Sequence, residues 1–192
     1  MTRDDALALV HEYTASDALR KHMYAVEIGM RAYARHYGAD EETWGLVGLL
    51  HDFDYERYPN DAHSPTEEHP SWGVRLLRER GLGEESCEAI LGHAAYTGVP
   101  RRTLLARTLF AVDELCGFLV ACALVRPQRL EGLEPKSVRK KLKTPSFAAA
   151  VSRADIDQGP ELVGLPLDEH IQHCVAALQA AAGPLGLGGG GE

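Results

Sequence analysis

The sequence predicts an all-α fold, a single helical bundle of about seven to nine helices. Three observations carry that expectation. Apolar residues recur at helical spacing along most of the chain. No stretch alternates apolar and polar residues for long enough to read as a strand. The periodic segments are punctuated by caps and stops such as Ser16, Gly38, Asp40 and Gly81. With 192 residues, 45% of them apolar, the chain can bury one core of ordinary size. One domain is expected over residues 1–183, with a flexible Gly-rich tail over 184–192, where the sequence ends in PLGLGGGGE.

In chain order, Thr2 caps a first helix over 2–13, and Ser16 caps a second that Gly38 stops. The inner stripe of that second helix holds Leu19, Met23, Val26, Met30 and Tyr33, with His22 on the same side. Asp40 caps a third helix that runs through Trp44 and Leu50 to His51. Residues 54–70 are polar and hold Pro59, Pro65 and Pro70, so they read as a loop. Pro70 suits the start of a helix that continues to Arg80 and the Gly81 stop. Further helices are expected over 84–95, 101–125, 135–143, 145–151 and 167–182.

The net charge is −8, with the nine histidines counted as neutral. That excludes a general binder of nucleic-acid backbones or anionic membrane surfaces, which needs a basic footprint. Cys87, Cys116, Cys122 and Cys174 lie in helical segments without C-x-x-C spacing, and read as reduced core residues of a cytoplasmic protein. The start, MTRDDALALVHEYTA, is amphipathic and acidic, unlike a secretory signal. No run approaches the roughly 20 apolar residues of a membrane span.

Six residues stand out: His22, the adjacent pair His51 and Asp52, His69, His93 and Asp113. Several lie in apolar surroundings, "GLLHD", "AILGHA" and "FAVDEL". A carboxylate between Val112 and Leu115 is costly to bury without compensation. Each residue alone has an ordinary explanation. His22 suits a core boundary, His69 a loop or cap, and Asp113 an ion pair with Arg107 or Arg75. A divalent metal accounts for all of them together, because neutral imidazole nitrogen and carboxylate oxygen suit zinc, iron, manganese, cobalt or nickel. Adjacent helical residues point about 100° apart. His51 and Asp52 therefore converge on neighbouring ions only if Asp52 bridges with both oxygens.

This pattern resembles the HD-domain superfamily of metal-dependent phosphohydrolases. Its signature of a first His, an HD dipeptide and a distant Asp is matched by His22, His51-Asp52 and Asp113. The longer signature of dinuclear members adds His69, in "HPSWGVRLL", and His93. "GLLHDFDYERYP", "GHAAYTGVP", "AVDELCGFLVACALVRP" and "KSVRKKLK" resemble small HDIG-type proteins, and the likeness covers about residues 19–171. The resemblance implies a metal site in the bundle core. His22, His51, Asp52 and Asp113 would hold a first ion, and Asp52 would bridge to a second held by His69 and His93. Many members continue as HDxGK, whereas Asp54 and Tyr55 stand here in the last two places. Arg57 is the expected substitute for the missing lysine, as a catalytic helper beside Asp52. His93 is followed by Ala94 rather than a second histidine, so no third ion is implied.

Two divalent ions carry more charge than Asp52 and Asp113 neutralise, which favours an anionic substrate and an activated water near neutral pH. The expected activity is hydrolysis of a small phosphomonoester or nucleotide, with two divalent ions as cofactors. The segment 126–143 is basic, and within it Arg126 and Lys136 are the expected phosphate-binding residues on family resemblance; a solvated helix face explains the rest. His63 competes with His69 as a ligand, and the Pro-x-x-Gly context favours His69. Asp54, Glu56, Glu67 and Glu68 offer proton carriers or a hydrated loop, Tyr96 and Thr97 suit the mouth or equally core packing or a turn, and His11, His36, His170 and His173 are surface or interhelix residues. Two alternatives remain open: a dinuclear-iron oxygenase on the same scaffold, and a non-catalytic metal-binding regulatory module.

Overall fold

A computed structural model describes residues 1–188. They form α1 (Arg3–Tyr13), α2 (Asp17–Tyr37), α3 (Glu41–Leu50), α4 (Ser71–Glu79), α5 (Glu84–His93), α6 (Leu104–Leu124), α7 (Pro135–Leu142), α8 (Arg153–Val163), α9 (Leu167–Ala180) and α10 (Ala182–Leu185). A short 3-10 turn, Ala95–Thr97, follows α5. There is no strand among the described residues, so the fold is the all-helical bundle that the sequence predicts. No helix of the described residues is long and apolar enough to cross a membrane.

The two 21-residue helices, α2 and α6, form the centre of the bundle. Helix α3 packs on α2, while α5 and α8 pack on α6 and α9 contacts both. Helix α6 buries residues around most of its circumference, from Leu105 to Ala123, as a central helix must. One apolar cluster draws side chains from every helix. The four cysteines are free and buried within it.

Two glycines set the distances between these helices. A Cβ on Gly48 would lie 2.9 Å from the backbone N and Cα of Glu27, so α3 rests directly on the α2 backbone. A Cβ on Gly29 would lie 2.6 Å from Val112 Cγ1, so the α2 backbone there packs directly against an α6 side chain. Beside the first contact the buried Glu27 carboxylate accepts from Arg3 at 2.6 and 2.9 Å and from Arg31 at 3.0 Å. Two guanidinium groups thus compensate a charge that would otherwise be costly to bury.

The caps follow the sequence at Thr2, Ser16 and Asp40, and Gly38 ends α2 in the left-handed conformation. Three elements differ from expectation. Residues 145–151 form turns instead of a helix. There Ala148 has φ 44°, and the Arg153 guanidinium donates to the carbonyls of Phe147, Ala148 and Val151. Helix α8 follows where none was expected, because Gly159 and Pro160 lie inside it. Pro160 removes one N–H donor from the helix interior. Gly159 leaves room for His170, whose Nε2 would lie 3.0 Å from an added Cβ. The chain also does not leave the fold at 184: α10 ends at Leu185, and Leu185 and Leu187 are buried in the core. The rest of the expected tail, 189–192, lies outside the described residues.

Gly48→Ala should lower stability by about 1–3 kcal/mol through overpacking, or roughly 2–4 °C in Tm per kcal/mol. Gly183→Ala, at an exposed position of α10 where an added Cβ meets nothing within 4 Å, should not lower stability. Thermal unfolding of the two variants side by side measures the difference.

Candidate metal centre

Helix ends deliver most of the site. His51 closes α3 in a helical conformation, and its ring Nδ1–H donates back to the Gly48 carbonyl at 2.8 Å. His93 closes α5 and donates from Nδ1 to the Ile90 carbonyl in the same way. Carbonyls in a final helical turn lack intrahelical partners, so this bond satisfies one of them and fixes the ring. In the neutral form of both residues Nε2 is the unprotonated nitrogen, and it faces inward. His22 comes from α2 and Asp113 from the middle of α6. Gly117, one turn beyond Asp113, leaves space for the His22 ring, whose Nδ1 would lie 3.3 Å from an added Cβ.

His69 is aimed by a different device. Its Nδ1–H donates to Asp54 Oδ1 at 2.7 Å, and Asp54 Oδ2 accepts the Gly73 N–H at 2.7 Å. Asp54 is 1% exposed. It serves the free N–H groups of the first turn of α4 from a neighbouring segment, where a carboxylate is favoured. A carboxylate on the outer nitrogen of a histidine fixes its tautomer and raises the basicity of the inner one. Gly73 is required for this approach, since its Cβ would lie 2.6 Å from Asp54 Cγ. The sequence reading offered Asp54 only as one of several proton carriers; its orienting role depends on the fold of the 54–70 loop.

All six expected ligands meet. Asp52 Oδ2 lies 3.4 Å from His51 Nε2 and 3.6 Å from His22 Nε2. Asp113 Oδ1 lies 3.0 Å from His22 Nε2 and 3.4 Å from His51 Nε2. On the other side, Asp52 Oδ1 lies 3.3 Å from His69 Nε2 and 3.4 Å from His93 Nε2. Two donor sets result, His22–His51–Asp113 and Asp52–His69–His93, and each could hold an ion. Asp52 turns one oxygen to each side.

The chemistry of the donors fits a divalent cation. His22 and His51 bring their Nε2 atoms to 3.1 Å, and His69 and His93 to 3.3 Å. Lone pairs turned on one another repel unless positive charge lies among them. Ligands about 2.1 Å from an ion stand roughly 3.0–3.4 Å apart in octahedral or tetrahedral arrangements, which matches these spacings. Burial lowers the His51 pKa, but the Asp52 and Asp113 carboxylates outweigh it and raise it well above the usual value. Burial likewise raises Asp52 and Asp113, yet the facing histidines hold both well below the ordinary carboxylate range. The cage therefore attracts cationic charge strongly.

A cavity opens from the cage, lined further by Tyr55, Asn60, Tyr96, Phe110, Glu114 and Asp155. Burial, and then Asp113, push the Glu114 carboxyl up to about 7. Tyr96 is at the mouth as expected, with its hydroxyl donating to the His69 carbonyl. Thr97 takes the turn reading, with its hydroxyl donating to the Leu91 and Ala94 carbonyls. His63 stacks on Tyr96, with ring centroids 4.3 Å apart, and takes no place in either donor set.

Three expected site residues are elsewhere. Arg57 is held against α1, where it donates to the Glu12 carbonyl and lies 4.6 Å from the Tyr13 ring centroid. It does not line the cavity, so the helper role assigned to it fails. Arg126 follows the far end of α6, about 16 Å of helix beyond Asp113, and donates to the Glu131 carbonyl at 2.7 Å. Lys136 lies on α7, which packs on α9 and α6, and is exposed. Neither borders the cavity, so the basic segment does not overhang it. Glu114 and Asp155 were missed. Glu114 had only its place beside Asp113 as a signal, and Asp155 belongs to the helix that the Gly159-Pro160 pair concealed.

A family model described as HD domain matches residues 19–117, just over half of the chain and a span that includes all six ligand candidates. No curated protein and no solved structure matches.

Gly73→Ala should displace Asp54 and release His69. The expected result is a 10–100-fold loss of Co²⁺ affinity at the Asp52–His69–His93 set, with binding at the other set retained. Calorimetric Co²⁺ titration, with cobalt absorption followed in parallel, measures it; unchanged binding would show that Asp54 does not orient His69.

Proposed function

The chain belongs to the HD-domain family, and from that premise we propose that it is a metal-dependent phosphohydrolase of small phosphomonoesters. The observation that best supports this reading is the shared carboxylate of Asp52, with one oxygen toward each of two donor sets. Two divalent ions are the proposed cofactors, held by His22, His51 and Asp113 on one side and by His69 and His93 on the other. Bound there, they would supply an activated water and a positive clamp for phosphoryl oxygens.

The chain's own residues set the conditions for that chemistry. The donor set contains two carboxylates and four imidazoles, so a loaded site keeps positive charge and takes an anion. Packed helix ends hold the rings at fixed angles, and rigidity of this kind is what in-line phosphoryl transfer demands. Hydrolysis breaks the P–O bond to the alcohol; water supplies a hydroxyl to phosphorus and a proton to the departing oxygen. No lysine or arginine borders the cavity among the described residues. Phosphate binding in this reading therefore depends on the ions.

Asp52→Ala should lose both ions and reduce phosphate release to background, because no other side chain among the described residues turns an oxygen to each donor set. His36→Ala, on the exposed face of α2, should change neither. Metal analysis together with phosphate release from a panel of monoesters after Mn²⁺ loading checks both variants. Oxygen uptake by the iron-loaded protein, with no phosphate released under any loading, would replace hydrolysis with oxygenase chemistry. Full loading with neither activity would leave a regulatory metal module.

A further inference from the structure

The cavity that takes in the cage and the space beyond it has a volume of about 430 Å³, at the small end of the roughly 300–1,000 Å³ typical of small-molecule sites. Its wall combines two carboxylates, Glu114 and Asp155, with the rings of Tyr55, Tyr96 and Phe110. Arginines in adjoining segments are engaged elsewhere. Arg101 donates to the Gly92 carbonyl at 2.8 Å, with its guanidinium 3.5 Å from the Phe110 ring centroid. Arg153 is bound to the carbonyls of the 145–151 turns.

The two carboxylates also keep binding capacity. Glu114 Oε2 accepts the Ser152 N–H at 3.1 Å, and Asp155 Oδ1 accepts from Gln158 at 3.2 Å. The other oxygen of each has no protein partner among the described residues. A second or third phosphate on a substrate would lie against the Asp155 carboxylate, a like charge that is unfavourable at short range. A cation is drawn to the same wall, by Asp155 through charge, by the open Glu114 oxygen as an acceptor, and by the Tyr55 and Tyr96 rings through their quadrupoles.

Resting on the phosphohydrolase reading, we infer that the site takes a small phosphomonoester whose alcohol part carries a protonated amine. The phosphate faces the ligand cage, and the ammonium group lies between Glu114 and Asp155 near the aromatic rim. Nucleoside polyphosphates are disfavoured by the same wall.

The test compares binding of O-phosphoethanolamine and 2-hydroxyethyl phosphate to the Mn²⁺-loaded full chain at pH 7 by calorimetry. The two esters are of similar size and differ by ammonium against hydroxyl. The amine ester should bind roughly tenfold more tightly, and Asp155→Asn should bring the two affinities to within about threefold of each other. Equal or weaker binding of the amine ester, tighter binding of pyrophosphate, or an unchanged preference in Asp155→Asn would overturn the inference. Phosphate release from 2-hydroxyethyl phosphate reads the hydrolase assignment separately. A preference without release of phosphate from either ester would sink the hydrolase assignment and keep amine recognition, and release without preference would do the reverse.

Discussion

The constraint on which the structure depends is the convergence of four imidazole nitrogens on one shared carboxylate. Asp52 stands between the two donor sets, and every ring around it presents Nε2 inward. Such an arrangement is unfavourable for the polypeptide alone, since it concentrates lone pairs and carboxylates in a largely buried space. It becomes favourable when cations occupy it. The bundle is therefore built to hold this geometry firmly, and its packing details serve that end.

Much of the support lies one layer outside the ligands. Gly48 and Gly29 bring α3 onto α2 and α2 onto α6, which gathers His51, His22 and Asp113 from three helices. His51 and His93 are fixed by carbonyls of their own helices, and His69 by Asp54. Deeper in the core, His170 joins three helices: Tyr33 donates its hydroxyl to Nδ1 at 2.6 Å, and Nε2–H donates to the Ala111 carbonyl at 3.0 Å. Ala111 lies two residues before Asp113, so this joint anchors α6 beside the ligand candidate that it carries.

The six ligand candidates could be read in the sequence because their residue types conflict with their apolar neighbours. His51 after Leu49 and Leu50, and Asp113 after Val112, are costly placements without a ligand. The long helices were equally legible, since their periodicity extends over several turns and their caps are unambiguous. What was not legible depended on tertiary approach. Asp54 reads as a loop acid until Gly73 is seen to admit it. Arg57, Arg126 and Lys136 were chosen by charge and resemblance, and charge on a flexible side chain does not say which surface it will join. Helix α8 was hidden by its own glycine and proline, which local propensity counts against a helix although packing against α6 and α9 stabilises it.

The cage and the cavity divide the electrostatic work. Positive charge belongs at the cage, and the outer wall is acidic and aromatic. The basic residues of α7 border neither. The most direct measurement of the central claim is electron paramagnetic resonance of the Mn²⁺-loaded protein. Two ions joined by the Asp52 carboxylate should give an exchange-coupled signal at full loading. An uncoupled six-line spectrum at every loading, or no protein-bound manganese at all, would contradict a shared carboxylate between two ions.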